Sequence, residues 1–456
     1  FNMGCRYEKY LLTQQETDLD ELKTLMRNWN HGYIEYSLDY AEAGMWEEAI
    51  SFLQLHEQEG GDIYPMVYYA LGYYTRQSGQ TEKAKAYYNK ASQANPAYCF
   101  PNRIEEVVIL ESALAANPAD AKASYYLGNF WYGARQYEEA VKCWETSVQH
   151  DDSFPTVWRN LALAYYNKLG QTERALQAME KAFALDQKDA RVFMELDQLY
   201  KKLGVSHTQR LEKLKRHMSL TEKRDDVYLE YITLNNMLGN HLEAQQDLAQ
   251  RKFHPWEGGE GKVPGQYLLA QTELAKSAIK AGKYQEAIDL LAATTEYPHN
   301  LGEGKLPGAQ ENDIDYYRGI AYQALGNQEK SEFYFRKASE GLSEPAPAIY
   351  YNDQQPDKIF YQGLAWEALG NPENARKRFN KLISYGEKHL FDQVKIDYFA
   401  VSLPDLLIWE DDLQKRNTIH CYYLMALGYL GLKKYDEAKT LSLIHISEPT
   451  RRVVIS

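Results

Sequence analysis

The sequence is poor in several residues that define common protein classes. It has only 4 cysteines and 15 prolines in 456 residues. The cysteines, Cys5, Cys99, Cys143 and Cys421, lie far apart and form no CxxC pair. A chain of this length buries enough apolar surface without cross-links, so we do not expect a disulfide framework. The low cysteine content favours a reducing compartment such as the cytoplasm.

Two further absences exclude classes of partner. No apolar run reaches the roughly 18 residues that a membrane-spanning helix needs. Lys and Arg total 51 against 64 Asp and Glu, which gives a net charge of -13. An acidic balance disfavours a nucleic-acid groove, which needs a basic surface, and disfavours anchoring to anionic lipid. We therefore expect neither a nucleic-acid nor a membrane partner.

The two ends of the sequence do not resemble native termini. The chain starts Phe1-Asn2-Met3 and has no signal-peptide core, so we expect an internal fragment. Residues 441–451 read LSLIHISEPTR, which is identical to one translated frame of a transposase-based sequencing adapter. We expect residues 441–456 to be a non-native, adapter-derived tail.

The dominant positive feature is an internal repeat. Ala84 lies 13 residues after Leu71 of Leu71-Gly72, and Tyr88 lies 4 residues after Ala84. The same steps start at Leu127, Leu274, Arg318 and Gln362. Each unit is predicted to be two antiparallel helices, because a small residue beside the first position lets the second helix approach closely. Large apolar residues then fill the groove between neighbouring units.

This spacing resembles the tetratricopeptide repeat, a helix–turn–helix unit of about 34 residues. The resemblance implies an all-α fold, a right-handed α-solenoid of about ten helix pairs, rather than three separate domains. A half unit is expected near 102–118, and weak units near 193–217 and 228–248. The predicted organisation is a helical segment over 1–30, repeats over 31–250, continuous repeats with long loops over 251–440, and the tail over 441–456.

Three long connections interrupt the repeat. Residues 259–265 read GEGKVPG, residues 302–308 read GEGKLPG, and a third connection covers 343–357. Neither GEGK segment has the spacing of a phosphate-binding P-loop. Two interpretations stay open: Gly and Pro shape turns while Trp256 fills a gap, or the loops form a docking surface. The candidate partner-binding residues of the loops are Trp256, Glu260, Lys262, Glu303, Lys305 and Asp353.

A second candidate surface follows from the first helix of each pair, which lines the inner face of such a solenoid. This face is rich in tyrosine, whose ring and polar tip suit peptide or sugar contacts. The alternative is that the tyrosines pack between helices. The inner positions show mainly Tyr rather than a Lys/Asn/Arg clamp, which disfavours a chaperone-type carboxylate clamp. The candidates are Tyr69, Tyr73, Arg76, Tyr125, Asn129, Tyr132, Arg159, Tyr166 and Asn167.

No catalytic or metal-binding pattern emerges. Asp313, Asp315, Asp353 and Asp357 share no spacing that would pair two carboxylates as a glycosidase requires. His420-Cys421 falls within the last helical pattern, where core packing is expected. We therefore expect no catalytic residue, no metal and no cofactor in this chain, and no enzymatic activity of the fragment itself.

Four segments carry a closer resemblance: FHPWEGGEGKVPGQY, NLGEGKLPGAQENDIDYY, AIYYNDQQPDKIFYQGLA and KIDYFAVSLPDLLIWEDDLQKRN. They are similar to the C-terminal repeats of an uncharacterised bacterial family whose longer members carry an N-terminal, mutarotase-like β-rich domain. The resemblance implies a binding scaffold that docks its own N-terminal domain or a partner protein. The alternative is the non-catalytic half of a carbohydrate-active enzyme, with carbohydrate bound through the upstream domain.

Overall fold

The computed structural model describes residues 3–59, 63–256, 258–347, 355–395 and 408–446. Within these ranges the chain forms 24 α-helices and two short 3-10 turns, and no strand occurs in them. The chain divides into two compact units, Phe1–Asp186 and Gln187–Ser456, termed unit 1 and unit 2. None of the helices in the described ranges is long and apolar enough to span a membrane.

Unit 1 begins with a helical hairpin that covers the first repeat. Tyr7 of this hairpin is buried, and its ring lies 5.7 Å from Tyr40 and 4.8 Å from Phe52. The helices of unit 1 are α1 Met3–Thr13, α2 Glu16–Met26, α3 Asn30–Glu42, α4 Trp46–Glu59, α5 Pro65–Gln77, α6 Thr81–Gln93, α7 Ile104–Ala116, α8 Ala121–Gly133, α9 Tyr137–His150, α10 Pro155–Asn167 and α11 Thr172–Leu185.

Unit 2 follows the same scheme with longer connections. Its last described helix, α24, runs into the first residues of the predicted adapter-derived tail. The helices are α12 Ala190–Lys202, α13 His207–Arg216, α14 Met218–Thr221, α15 Asp225–Met237, α16 His241–Gln250, α17 Lys262–Lys280, α18 Tyr284–Ala292, α19 Asn312–Ala324, α20 Gln328–Ser339, α21 Pro356–Ala368, α22 Pro372–His389, α23 Leu413–Gly431 and α24 Tyr435–Ile446.

The helices form consecutive antiparallel pairs, and ten such pairs follow α1–α2 in the described ranges. Each first helix packs on its own second helix, and most second helices also pack on the first helix of the next pair. A single helix, α7, stands between the α5–α6 and α8–α9 pairs, where the sequence indicates a half unit. The predicted all-α fold of helix pairs is confirmed. The boundary predicted after residue 250 and the handedness of the solenoid stay predictions.

Close approach within four of the pairs depends on a glycine in the first helix and an aromatic ring sixteen residues later. A Cβ built on each glycine would overlap that ring, so any side chain there would push the two helices apart. The pairs are Gly72–Tyr88 at 2.4 Å, Gly128–Trp144 at 2.4 Å, Gly319–Phe335 at 2.6 Å and Gly363–Phe379 at 2.3 Å from that Cβ to the nearest ring atom. This is the physical reason for the repeated Gly in the sequence pattern.

One pair replaces its small residues with an ion pair. In α10–α11, Ala162 and Ala175 are fully buried and stand thirteen residues apart. At the same separation, α12–α13 places Asp197 and Arg210, both at most 4% exposed. The Arg210 guanidinium donates to both Asp197 oxygens, at 3.1 and 2.6 Å. The sequence signal of this unit is weak because charged residues occupy the positions that are small elsewhere.

Glu230 of α15 completes the cluster. Its carboxylate accepts hydrogen bonds from Arg210 at 2.7 Å and from Lys201 at 3.1 Å. Burial alone would raise the pKa of Glu230, but Lys201 and Arg210 outweigh burial and lower that pKa to about 2. Burial raises the pKa of Asp197 in spite of Arg210. Within the same cluster, the pKa of Glu230 is therefore lowered and the pKa of Asp197 is raised.

The lowered pKa of Glu230 predicts a specific acid sensitivity. The unfolded-state pKa of Glu is about 4.3, so the contribution of ionised Glu230 is complete above that pH and is lost as the pH falls towards 2. We expect the Glu230→Gln variant to lose less free energy of unfolding than the wild type between pH 5 and 2. Urea unfolding at a series of pH values measures this, with exposed Glu222→Gln as the control. Parallel profiles for wild type and Glu230→Gln would contradict the assignment.

Candidate binding surfaces

Two residues predicted on the inner face of unit 1 are core residues. Tyr69 is 0% exposed and Tyr125 is 3% exposed, so neither offers surface to a partner. The Tyr69 hydroxyl donates to Asp120 Oδ2 at 3.0 Å, and the other Asp120 oxygen caps the N-terminus of α8. Burial raises the pKa of both tyrosines, so they remain neutral. For these two positions the packing interpretation holds.

Other inner-face residues keep surface but also hold the fold together. Arg76 is exposed, and its guanidinium donates to the carbonyl and the hydroxyl of Ser112 in α7, each at 3.1 Å. Asn129 donates to the Cys99 carbonyl at 3.2 Å and accepts the Trp144 indole N–H at 3.2 Å. These bonds fix the orientation of both side chains before any partner binds.

The remaining inner-face candidates are half-buried. Tyr73 lies edge-on to Trp46 with ring centres 6.1 Å apart, and Tyr132 lies 5.3 Å from Trp144. Seven candidates thus keep exposed surface on three first helices, and we term this set the first-helix face. Its members are Tyr73, Arg76, Asn129, Tyr132, Arg159, Tyr166 and Asn167.

The two GEGK loops of unit 2 and their flanking residues are joined by hydrogen bonds. The Phe253 N–H donates to the Asn300 carbonyl at 2.7 Å, and the Gly261 N–H donates to Glu303 Oε2 at 2.8 Å. The Asn300 amide also donates to the carbonyls of Leu248 and Arg251, at 2.7 and 2.8 Å. The similarity of the two loops in sequence therefore corresponds to a direct contact between them.

Side chains of these loops differ in burial and in the contacts they make. Trp256 is half-buried over Gly259, where a Cβ would lie 2.2 Å from the indole. Lys305 pairs with Glu311 at 2.6 Å. Lys262, the first residue of α17, is exposed, and Glu260 is half-buried. Burial and the neighbouring Glu260 raise the pKa of Glu303, against the Gly261 N–H bond. Asp353 lies outside the described residues.

The acidic candidates near these loops are paired with cations. Asp313 lies 2.5 Å from Lys358, which also approaches Asp357 at 3.4 Å. Asp315 pairs with Lys337 at 3.0 Å and with Arg318 at 3.3 Å. In the described part of the chain, no group of three or more His, Cys, Asp and Glu side chains is arranged to hold a metal ion.

The third loop is also anchored to the repeats. His420 is buried and donates from Nε2 to the Ala346 carbonyl at 2.8 Å, and Cys421 is fully buried. The predicted core placement of His420-Cys421 is thus confirmed. Gln362 donates to the carbonyls of Glu340 and Leu342, at 3.1 and 2.8 Å. Polar side chains of the helices therefore hold this connection against the helix pairs.

One residue escaped the sequence reasoning. Trp409, directly before the acidic residues 410–412, is only 1% exposed. Its indole N–H donates to the Glu195 carbonyl at 2.8 Å, 214 residues away in sequence. The available signal was a large aromatic residue directly before three acidic ones in a non-helical stretch.

Three segments match tetratricopeptide-repeat family models: 67–98, 132–190 and 359–385. The first covers most of α5–α6, the second runs from the end of α8 through α11, and the third falls on α21–α22. These matches show tetratricopeptide repeats in three parts of the chain, and the ten helix pairs of the described ranges have the same helix–turn–helix form. The repeats indicate a non-catalytic scaffold for protein interactions.

Solved structures of similar repeats include MamA 41-end from Desulfovibrio magneticus RS-1, at 23% identity, with 43% of this chain and 97% of that chain covered and a TM-score of 0.26. The MamA RS-1 ArsTM double mutant has 22% identity, coverage of 43% and 96%, and a TM-score of 0.26. YrrB, described as a TPR protein with an unusual peptide-binding site, has 18% identity, coverage of 50% and 90%, and a TM-score of 0.23. Such low TM-scores add no detail to the function of this chain.

Proposed function

We propose that this scaffold binds an extended segment of a partner protein along the first-helix face of unit 1. The observation that carries the proposal is the recurrence of large polar and aromatic side chains, still partly exposed, on α5, α8 and α10. Tyrosine and arginine are the residue types that contribute most binding energy at protein interfaces. Their positions are held by contacts within the chain, which lowers the entropic cost of binding.

The chemistry of the face favours a particular kind of segment. Arg76 and Arg159 supply hydrogen-bond donors for carboxylates and peptide carbonyls. Tyr132 and Tyr166 supply flat apolar area with a polar tip. A partner segment that combines acidic and apolar residues satisfies both.

The partner is either another protein or an N-terminal domain of the same protein, as in the family that the sequence resembles. In the second case the interlocked GEGK loops of unit 2 are the proposed docking surface. Their exposed part includes Lys262 and Glu260, next to half-buried Trp256. The carbohydrate-related setting rests on the resemblance alone and stays a prediction.

A peptide-display selection against the wild-type chain tests the first-helix face. We expect enriched peptides to lose at least about tenfold in affinity for the Tyr132→Ala/Arg159→Ala/Tyr166→Ala variant, since interface Tyr and Arg residues each contribute on the order of 1–2 kcal/mol or more. Fluorescence anisotropy with labelled peptides measures the affinity.

The matched control is Lys83→Ala/Gln93→Ala, which changes two exposed side chains of α6. It should bind as the wild type does. Equal losses in both variants, or no loss in the first, would refute the proposed face. Trp256→Ala serves as a separate arm: it should leave peptide binding unchanged and weaken docking of an added N-terminal domain.

A further inference from the structure

The segment Ile408–Asp412, between α22 and α23, rests on helix α12 at the start of unit 2. Trp409 is buried although its neighbours Glu410, Asp411 and Asp412 are all exposed. Its indole N–H reaches the Glu195 carbonyl at 2.8 Å. A buried indole usually satisfies its N–H, and here the acceptor is the backbone of a helix rather than of the local loop.

A second contact lies on the same face of α12. Asp411 Oδ1 is 2.6 Å from Lys202 Nζ. Glu195 and Lys202 are seven residues apart, which is about two helical turns, so both lie on one side of the helix. This face of α12 therefore offers a carbonyl that accepts the indole N–H of Trp409 and an ammonium group that pairs with Asp411, two residues further along.

The stretch of chain that carries α12 is rich in cations, and several of them already pair with carboxylates, as Arg210 and Lys201 do with Glu230. Residues 188–224 contain ten Lys and Arg against five Asp and Glu, within a chain of net charge -13. Arg216 and Lys223 of this region are exposed. A cation that keeps some exposed surface, as Lys202 does beside Asp411, attracts acidic segments and speeds their association.

We propose that this face of α12 is a recognition site for a peptide that carries tryptophan followed by acidic residues. The chain's own segment 408–412 occupies the site in cis, and a partner protein with the same sequence chemistry binds by displacing it. The site lies in unit 2 and is independent of the first-helix face of unit 1.

Cis occupancy sets how the site responds to a free peptide. A tethered segment competes at an effective concentration on the order of millimolar. The wild-type chain therefore binds a free peptide weakly, whereas a variant that lacks the Trp409 and Asp411 side chains presents a vacant site. The difference in affinity between the two proteins reports the tethering directly.

The experiment uses a fluorescein-labelled peptide with the sequence of residues 408–415, IWEDDLQK, and fluorescence anisotropy. The Trp409→Ala/Asp411→Ala chain is expected to bind it at least about a hundredfold more tightly than the wild type. Adding Lys202→Glu to that variant should weaken binding at least about tenfold, and a peptide with Ala in place of Trp should not bind. Circular dichroism confirms that each variant is folded.

The matched control is Trp29→Ala, which removes an indole that is 58% exposed and should bind the peptide as the wild type does. A folded, vacated variant that fails to bind the peptide at about 1 mM overturns the proposal. Binding that is insensitive to Lys202→Glu overturns it as well.

A second measurement covers the case in which the vacated variant does not fold. Peptide at millimolar concentration is added to the wild-type chain, and hydrogen exchange of the 408–412 backbone amides is followed. Displacement predicts faster exchange of these amides with the IWEDDLQK peptide and not with its Trp-to-Ala form. Unchanged exchange with both peptides means that the segment is a fixed structural contact and overturns the proposal.

Discussion

Replacing Arg210 with alanine is expected to lower the free energy of unfolding of unit 2 by about 3–5 kcal/mol. Arg210 and Asp197 are almost completely buried, and the guanidinium holds both Asp197 oxygens. Removal of the cation leaves a buried carboxylate without its partner, and the cost of that unpaired charge dominates the loss. Urea unfolding followed by circular dichroism measures the change.

The double variant Asp197→Ala/Arg210→Ala separates the charge from the packing. It recreates the pair of alanines that Ala162 and Ala175 form in α10–α11. Because no unpaired charge remains, we expect it to be more stable than Arg210→Ala alone. Lys215→Ala is the exposed control, since its bond to Glu243 has both side chains 42% exposed, and it should cost under about 1 kcal/mol. A double variant less stable than the single one would contradict this account.

The second large effect is expected at Gly128. A Cβ there would lie 2.4 Å from the Trp144 indole, which is buried and hydrogen-bonded to the Tyr125 carbonyl at 3.2 Å. The ring has little room to move, so Gly128→Ala should cost about 1–3 kcal/mol through overpacking. Thermal unfolding of unit 1 measures the loss.

Gly133 provides the matched control in the same helix. A Cβ at Gly133 meets nothing within 4 Å, so Gly133→Ala should be neutral or stabilise by up to about 1 kcal/mol. Trimming the ring in Gly128→Ala/Trp144→Leu should recover part of the stability that Gly128→Ala loses. Equal effects of the two alanine substitutions would show that the Gly128–Trp144 contact does not limit the approach of the helices.

The repeated helix pair was predictable because its signal is local. Leu71-Gly72, Ala84 and Tyr88 lie within one pair, and their spacing follows from the geometry of two adjacent helices. The α12–α13 pair was harder to recognise, because Asp197 and Arg210 replace the small residues that define the pattern. A buried ion pair lets the two helices pack as a pair, but its residues do not match the small-residue pattern by which the repeat is recognised.

The binding residues were less predictable. Tyr69 and Tyr73 are four residues apart on one helix, yet one is fully buried and the other is half-exposed. Residues later in the chain approach Tyr69: its ring lies 6.0 Å from Tyr126 of α8, and its hydroxyl donates to Asp120 at the N-terminus of α8. Periodicity assigns a residue to a side of a helix, but the neighbouring helices decide whether that side is covered.

The sequence by itself determined the all-α class and the pairing of helices, because both depend on residues close together in the chain. The tertiary structure alone decided which long connections fold back and where. Asn300 holds the end of α16 and Gly261 binds Glu303 across loops about forty residues apart, while Trp409 crosses 214 residues to reach α12. Such contacts join distant residues through single hydrogen bonds and buried rings, and no spacing rule in the sequence encodes them.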